Sequence, residues 1–450
     1  EDVRNLTLKI QHVDAGDISV VEAGKSVLFP TERDLLSGKV NINDNKFEIA
    51  GPGQFYVIAG KDVDLGASSG ILSVGNQKNP ALPKGGADIT IMAGQAQAPE
   101  YDAFIDRYLV SEDTYRDRLA QYMNDLASRE TDPTKANAFR EQPLDSFRTA
   151  LSLAQRRKFI LEVLFNELRE SSVAAVESKN YERGFDAIRV LFPAASYPGD
   201  VKSFLSQITT ADGGDINLVV PGGLVNAGVA SSSAFDKTPD QLGIVAQRDG
   251  NINAFVHDDF LVNASRVFAL DGGDILIWSS TGDIDAGKGA KTALSIPPAE
   301  SSTDPNTGIT TVEFPPPISG SGIGAAVRTP GRDPGNVYLA APVGVINAGD
   351  AGISSAGNLT IAATAVLGAD NIKVGGASVG VPTDTGGLSA GLAGVGDIAA
   401  TASKLAEDVT RGLKEQKEGE EGFLGVEVVG FGEDEQGDEV LNLRKRKKSK

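Results

Sequence analysis

The chain has 450 residues, of which 42 are basic and 61 acidic, giving a net charge of −19, with no cysteine and two histidines. An acidic chain repels phosphates instead of releasing their counterions, which argues against a nucleic-acid partner. The missing cysteine excludes disulfides, thiolate metal sites and thiol nucleophiles, and no apolar run approaches the ~18 residues of a membrane helix, so no transmembrane segment is expected.

The chain opens on Glu1-Asp2-Val3-Arg4, without the basic start and apolar stretch of a signal peptide, and it begins mid-pattern. It is therefore expected to be a fragment or a processed product. Short alternating stretches follow a glycine or small residue at Gly16-Asp17-Ile18, Gly53-Gln54-Phe55 and Ala87-Asp88-Ile89-Thr90-Ile91. Alternation over four or five residues signals a half-buried strand. Residues 1–98 are accordingly expected to form β-helix coils.

Glycine then almost vanishes. Between positions 100 and 206 only Gly184 and Gly199 occur, yet the stretch holds six of the eight tyrosines and eight of the eighteen phenylalanines. Tyr101, Tyr108, Tyr115 and Tyr122 recur every seven residues, and a second seam runs Phe147, Leu151, Ala154, Lys158, Leu161, Phe165 and Leu168. Asp132-Pro133 and Gln142-Pro143 bracket the connection, because a residue before proline avoids the helical region. The pattern predicts an inserted α-helical module over 99–206, a helical hairpin plus a following helix, which could be removed without unfolding its host. The tyrosine stripe reads as packed core in preference to a ligand-binding face.

Beyond the insertion the repeat sharpens. Gly214-Asp215-Ile216, Gly273-Asp274-Ile275 and Gly335-Asn336-Val337 lead to Val225-Asn226-Ala227-Gly228, Ile284-Asp285-Ala286-Gly287 and Ile346-Asn347-Ala348-Gly349. A copy from Gly250 reaches Val262-Asn263-Ala264 one residue late. A period of about 22 residues built from short strands and Asn/Asp/Gly corners predicts an all-β solenoid, a parallel β-helix, over 207–400. From both flanks, about ten to a dozen coils and a stack ~50 Å long are expected. Asn226, Asn263, Asp285 and Asn347 are the candidate structural corner positions, where amides of successive coils could bond along the stack. Unrelated turn asparagines are the alternative, disfavoured by three copies in one register. The proline-rich stretch 296–334 is expected to be a loop off the helix.

Residues 401–450 are expected to hold one amphipathic helix, a short strand at Phe423–Val429 and blocks of like charge, which are usually disordered. Ten acids and one base between 415 and 439 precede six bases between 444 and 450. Arg444, Lys445, Arg446, Lys447 and Lys448 form a candidate retention tail.

Little here reads as catalysis. His12 and His257 are far apart, so neither a triad nor a histidine-rich metal site is expected. Asp and Asn interchange at the corners, as in Asp215, Asn251, Asp274 and Asn336, which corner capping accepts and a catalytic carboxylate does not. No catalytic, metal or cofactor-binding residues are expected.

Tyr181-Glu182-Arg183-Gly184-Phe185-Asp186, Leu191-Phe192-Pro193, Tyr197-Pro198-Gly199-Asp200, Gly243-Ile244-Val245-Ala246-Gln247, Gly273-Asp274-Ile275-Leu276-Ile277-Trp278 and Gly425-Val426-Glu427-Val428-Val429 resemble the C-terminal region of filamentous haemagglutinin-family exoproteins. The resemblance spans roughly 180 to 432. It implies a large two-partner-secretion adhesin of a Gram-negative bacterium, with a right-handed β-helical shaft and an outer-membrane transporter as partner, secreted or held at the cell surface. Some relatives end in a cysteine loop, which this chain lacks. The function implied is structural and adhesive, with attachment to host cells, other bacteria or biofilm matrix through an unidentified protein or glycan receptor. A β-helical carbohydrate-active enzyme and the shaft of a toxin-delivery exoprotein are the alternatives.

Overall fold

A computed structural model describes residues 1–33, 40–76, 79, 81–194, 196–229, 237, 241–288, 300–303, 310–313, 320–329 and 331–382. All lie within one unit, Glu1–Leu388. The helix, strand and basic run expected beyond 400 fall outside the described residues.

The unit is a parallel β-helix with three faces. The first face stacks Leu8–Gln11, Lys46–Ala50, Gly70–Ser73, Gln207–Thr210, Gly243–Gln247, Arg266–Leu270, Gly322–Ala326, Ile353–Ser355 and Ile372–Val374. The second runs from Ile18–Ala23 through Gln54–Ala59, Asp88–Met92, Ile216–Val220, Ile252–Val256 and Ile275–Ser279 into Val337–Asn347, Leu359–Leu367 and Ser378–Val379. The third consists of two-residue strands, among them Val63–Asp64, Val201–Lys202, Val225–Asn226 and Ile284–Asp285. Nine coils are formed among the described residues. At ~4.8 Å per step they rise ~40 Å, less than expected. Among the described residues, no further rung of the stack lies between Asn226 and Gly243 or between Asp285 and Gly322.

Register explains why these residues make these strands. Phe55, Ile89, Ile216, Ile252, Ile275, Val337 and Leu359 pair in one column, and Val57, Ile91, Leu218, Ala254, Ile277, Leu339 and Ile361 in the next inward one. All are buried in one continuous core. Each side chain packs on its counterparts above and below, so the hydrophobic effect rewards repetition of similar shapes.

The helical module is spliced into a single corner. One coil turns from the second to the third face through Gly60-Lys61-Asp62, and the next leaves at Gly94 and returns at Gly199-Asp200. The Gly94 amide donates to the Lys61 carbonyl, and a Cβ on Gly199 would stand 2.0 Å from that same oxygen. Val201–Lys202 already pairs with Val63–Asp64, so the module ends before 200 and the expected boundary at 206 is too late.

The expected hairpin plus one helix is instead a chain of helices: α1 (Tyr101–Ile105), a π-turn Asp106–Ser111, α2 (Arg116–Arg129), α3 (Pro133–Glu141), α4 (Pro143–Thr149), α5 (Leu153–Ser178) and α6 (Glu182–Leu191). Prolines at the first positions start α3 and α4 at the two bracketing dipeptides, and a capping box between Ser152 and Gln155 starts α5 inside the second seam. The tyrosine stripe packs as core, with Phe104 and Tyr108 rings 4.5 Å apart and Tyr122 5.4 Å from Phe159. Buried Glu167 accepts two hydrogen bonds from Arg183, at 2.9 and 2.8 Å, and ties α5 to α6.

The module covers the outer side of the second face. Ile58, Met92, Val219, Phe255, Trp278, Ala340 and Ala362 form one outward column and are buried with the helices. Trp278 meets Tyr181 at 6.0 Å and Phe185 at 5.6 Å, edge to face. Gly184 is required here: its Cβ would stand 2.5 Å from the indole.

The stretch 296–334 is not all loop. Glu300–Thr303 pairs antiparallel with Thr310–Glu313, and Gly322–Ala326 supplies a rung of the first face between Arg266–Leu270 and Ile353–Ser355. Prolines on either side masked a strand made of Gly, Ile and Ala.

Ile275→Asp places an unpaired carboxylate in the inward column and should lower stability by ~4 kcal/mol or more, read as a lost or strongly lowered melting transition. A melting temperature equal to the parent's would contradict this register.

Candidate functional site

The corners carry hydrogen-bonded ladders. Where the chain enters the second face, Asp88 Oδ1 accepts the Asp215 amide at 2.9 Å, Asp215 the Asn251 amide at 2.8 Å, Asn251 the Asp274 amide at 2.9 Å, Asp274 the Asn336 amide at 2.8 Å and Asn336 the Asn358 amide at 2.9 Å. Each side chain therefore caps an amide of the next coil that no strand satisfies. A second ladder joins Asp62 to the Asp200 amide at 3.0 Å and Asp259 to the Asp283 amide at 2.8 Å.

Asn226, Asp285 and Asn347 occupy one column on the third face, with Leu261 between the first two. Each caps its own turn: the amides of Gly228, Gly287 and Gly349 donate to them at 3.1, 2.7 and 2.9 Å. Asn263 stands two residues past that column, at φ 59°, and its Nδ2 reaches back to Asn226 Oδ1 at 3.0 Å. The basic residues 444–448 lie outside the described residues. His257 and Asp258 pair at 2.8 Å on an exposed corner beside Thr281, which raises the imidazole pKa through the Asp258 hydrogen bond.

One polar cleft could not be read from the repeats. It lies between the module and the outer side of the second face, lined by Asp88, Asp215, Asn217 and Asn253 from the coils and by Lys158, Glu162 and Arg169 from α5. Lys158 Nζ bridges to Asp88 Oδ2 at 3.0 Å, and Gln54 donates to the same oxygen. Asn253 Nδ2 donates to Asn217 Oδ1 at 3.0 Å, an amide ladder two residues beyond the first. Burial, and then the neighbouring Asp88 charge, push the Asp215 carboxyl up to about 7. Asp88, by contrast, holds the Lys158 ammonium protonated well past its ordinary range. The signal available in the sequence was the polar outward run Thr90, Asn217 and Asn253, in a column that elsewhere holds Tyr56, Leu276, Tyr338 and Thr360.

Residues 272–383 match the family model described as "Filamentous haemagglutinin family outer membrane protein". Over that stretch the chain is similar to the filamentous haemagglutinin family. The match covers about a quarter of the chain, from the coil of Trp278 to the end of the described stack. The family is one of adhesin-type exoproteins, secreted or held at the bacterial surface, and its members generally depend on an outer-membrane transporter. No curated protein and no solved structure matches. Among the described residues, no helix is long and apolar enough to cross a membrane.

Asp274→Asn keeps the acceptor that caps Asn336 and should leave the melting temperature nearly unchanged. Asp274→Ala strands that amide and should cost ~1–3 kcal/mol in denaturant unfolding. For Asp215 the folded pKa lies above the unfolded one. Its contribution is therefore full below pH ~4 and is lost as pH rises through about 7. Asp215→Asn should flatten the fall in melting temperature over that window, and an unchanged pH profile would refute the assignment.

Proposed function

We propose that this chain is the structural and adhesive C-terminal part of a large exoprotein, a stiff β-helical spacer that carries its helical module to a surface on host cells, other bacteria or biofilm matrix. The observation that carries the reading is the ladder-capped stack with a compact module spliced into one corner, whose residues 272–383 match the haemagglutinin-family model. Continuous inter-coil hydrogen bonding resists bending, which suits a spacer more than a catalyst.

The enzymatic alternative has one point in its favour: the cleft gathers Asp88, Asp215 and Glu162 around Lys158, a grouping absent from the linear pattern. Two features weigh against turnover. Lys158 is clamped in its protonated form by Asp88 and is a poor base. Asp215 Oδ1 is already occupied by the Asn251 amide and side chain, at 2.8 and 3.0 Å. A binding role without cleavage follows. We also propose that the basic run Arg444, Lys445, Arg446, Lys447 and Lys448 retains the protein at the anionic surface, at ~1 kcal/mol per base near charged lipid and screened by salt.

Beads coated with the 450-residue chain should attach to epithelial cells, bacteria or biofilm in excess over beads coated with a neutral carrier protein. Serine at 444–448 in the secreting bacterium should release more exoprotein into the medium. Attachment no better than the carrier on all three surfaces would overturn the adhesive reading, and unchanged release would overturn the retention role.

A further inference from the structure

The helical module and the second face leave a gap where they meet. Two adjoining cavities, of about 230 and 400 Å³, share four lining residues, Gln54, Arg118, Lys158 and Glu162. The larger cavity falls within the ~300–1,000 Å³ of small-molecule sites.

Two of the four shared residues are already satisfied. Lys158 Nζ donates to Asp88 Oδ2 at 3.0 Å, and Gln54 Nε2 donates to the same oxygen. The other two are open. Among the described residues, Arg118 makes no hydrogen bond or ion pair and lies over the Tyr115 ring at 5.6 Å, and Glu162 makes none either. Arg118 comes from α2 and Glu162 from α5, and both side chains are exposed where they line the cavities. The Arg118 charge is near enough to act on Glu162, although the two do not pair. Desolvation by the cleft walls pushes the Glu162 carboxyl above the usual carboxylate range, so its charge is poorly compensated there. An unpaired anion and an unpaired cation thus face one space from two helices.

That arrangement selects a ligand chemistry. A guanidinium fork matches a carboxylate, and a carboxylate accepts from an ammonium. A ligand with one charge would leave one of the two side chains uncompensated. A phosphate-rich ligand would also meet Asp88, Asp215 and Glu162. Among the described residues no group of three or more potential ligands is placed to hold a metal ion that could balance Glu162. A small zwitterion satisfies both groups at once. Beside them the larger cavity is walled by Ile18, Tyr122, Leu126 and Phe159, with the Tyr122 and Phe159 rings 5.4 Å apart. This wall gives an apolar side chain a place to leave water.

We propose that the paired cavities bind a free α-amino acid with a large apolar side chain, its carboxylate on Arg118, its ammonium on Glu162 and its side chain against the wall of the larger cavity. The site goes beyond the adhesive reading and does not depend on it.

The test is calorimetry and saturation-transfer NMR on the full chain with L-phenylalanine and L-leucine. N-acetyl-L-phenylalanine lacks the ammonium, L-phenylalaninamide lacks the carboxylate, and L-alanine lacks the side chain. Phenylalanine or leucine should bind, and each of the three controls should bind at least tenfold more weakly. Glu162→Gln and Arg118→Met should each weaken binding of the zwitterion at least tenfold. Both side chains are exposed and unpaired, so both variants should keep the parent's melting temperature. Glu162→Gln should leave the residual binding of N-acetyl-L-phenylalanine unchanged, because that ligand has no ammonium to lose. No binding by phenylalanine or leucine at tens of millimolar would overturn the proposal. So would equal binding by the acetyl or amide derivative, or parent-like binding by either variant. The ligand comparisons need no variant, so they decide the matter even if a substitution unfolds the chain.

Discussion

The second face of the coil stack is buried on both sides. Its inward columns pack within the β-helix, and its outward column from Ile58 to Ala362 packs under the helices. A half-buried strand needs alternation, but this face is apolar at nearly every position of Ile252–Val256 and Ile275–Ser279. That surface requires a cover, and the module provides it from a corner whose other coils spend only a few residues. The closeness of Gly94 and Gly199 lets more than a hundred residues enter and leave without parting the coils. Helical insertion and coil sequence are thus one solution: neither Trp278 nor the Gly184 notch makes sense without the other.

The ladders meet a second demand. Stacked coils bring the same corner to within one strand spacing, so a column of carboxylates would repel itself. The main ladder reads Asp88, Asp215, Asn251, Asp274, Asn336 and Asn358. Amides separate the acids everywhere except at its start. At that one adjacent pair, Lys158 arrives from the module to offset the charge, and Asp215 still holds its proton up to about 7. The residues that make the corner rigid are also those that make the cleft polar.

Much of the coil architecture was legible because stacking forces equivalent residues to recur: Ile216, Ile275 and Val337 share a column and a sequence context. The interchange of Asp and Asn at the corners was visible for the same reason. Three things were hidden. The start of α5 depends on the Ser152–Gln155 box, which interrupts the second seam between Leu151 and Ala154. The rung Gly322–Ala326 lacks the Asp and Asn punctuation of its neighbours and sits among prolines, so its role shows only through pairing with Arg266–Leu270 and Ile353–Ser355. The cleft was the hardest to see, since it joins residues 70 positions apart, as in Lys158 and Asp88. No local pattern records such a meeting.

The dependence of the second face on its cover can be measured through Trp278, the single tryptophan of the chain. The measurement is the emission maximum and acrylamide quenching of the intact chain beside a variant joining Gly94 directly to Gly199, with circular dichroism on both. The account predicts blue-shifted, weakly quenched emission in the intact chain. In the variant it predicts red-shifted, readily quenched emission while the β-sheet signal persists. Identical emission and quenching in the two proteins would contradict it.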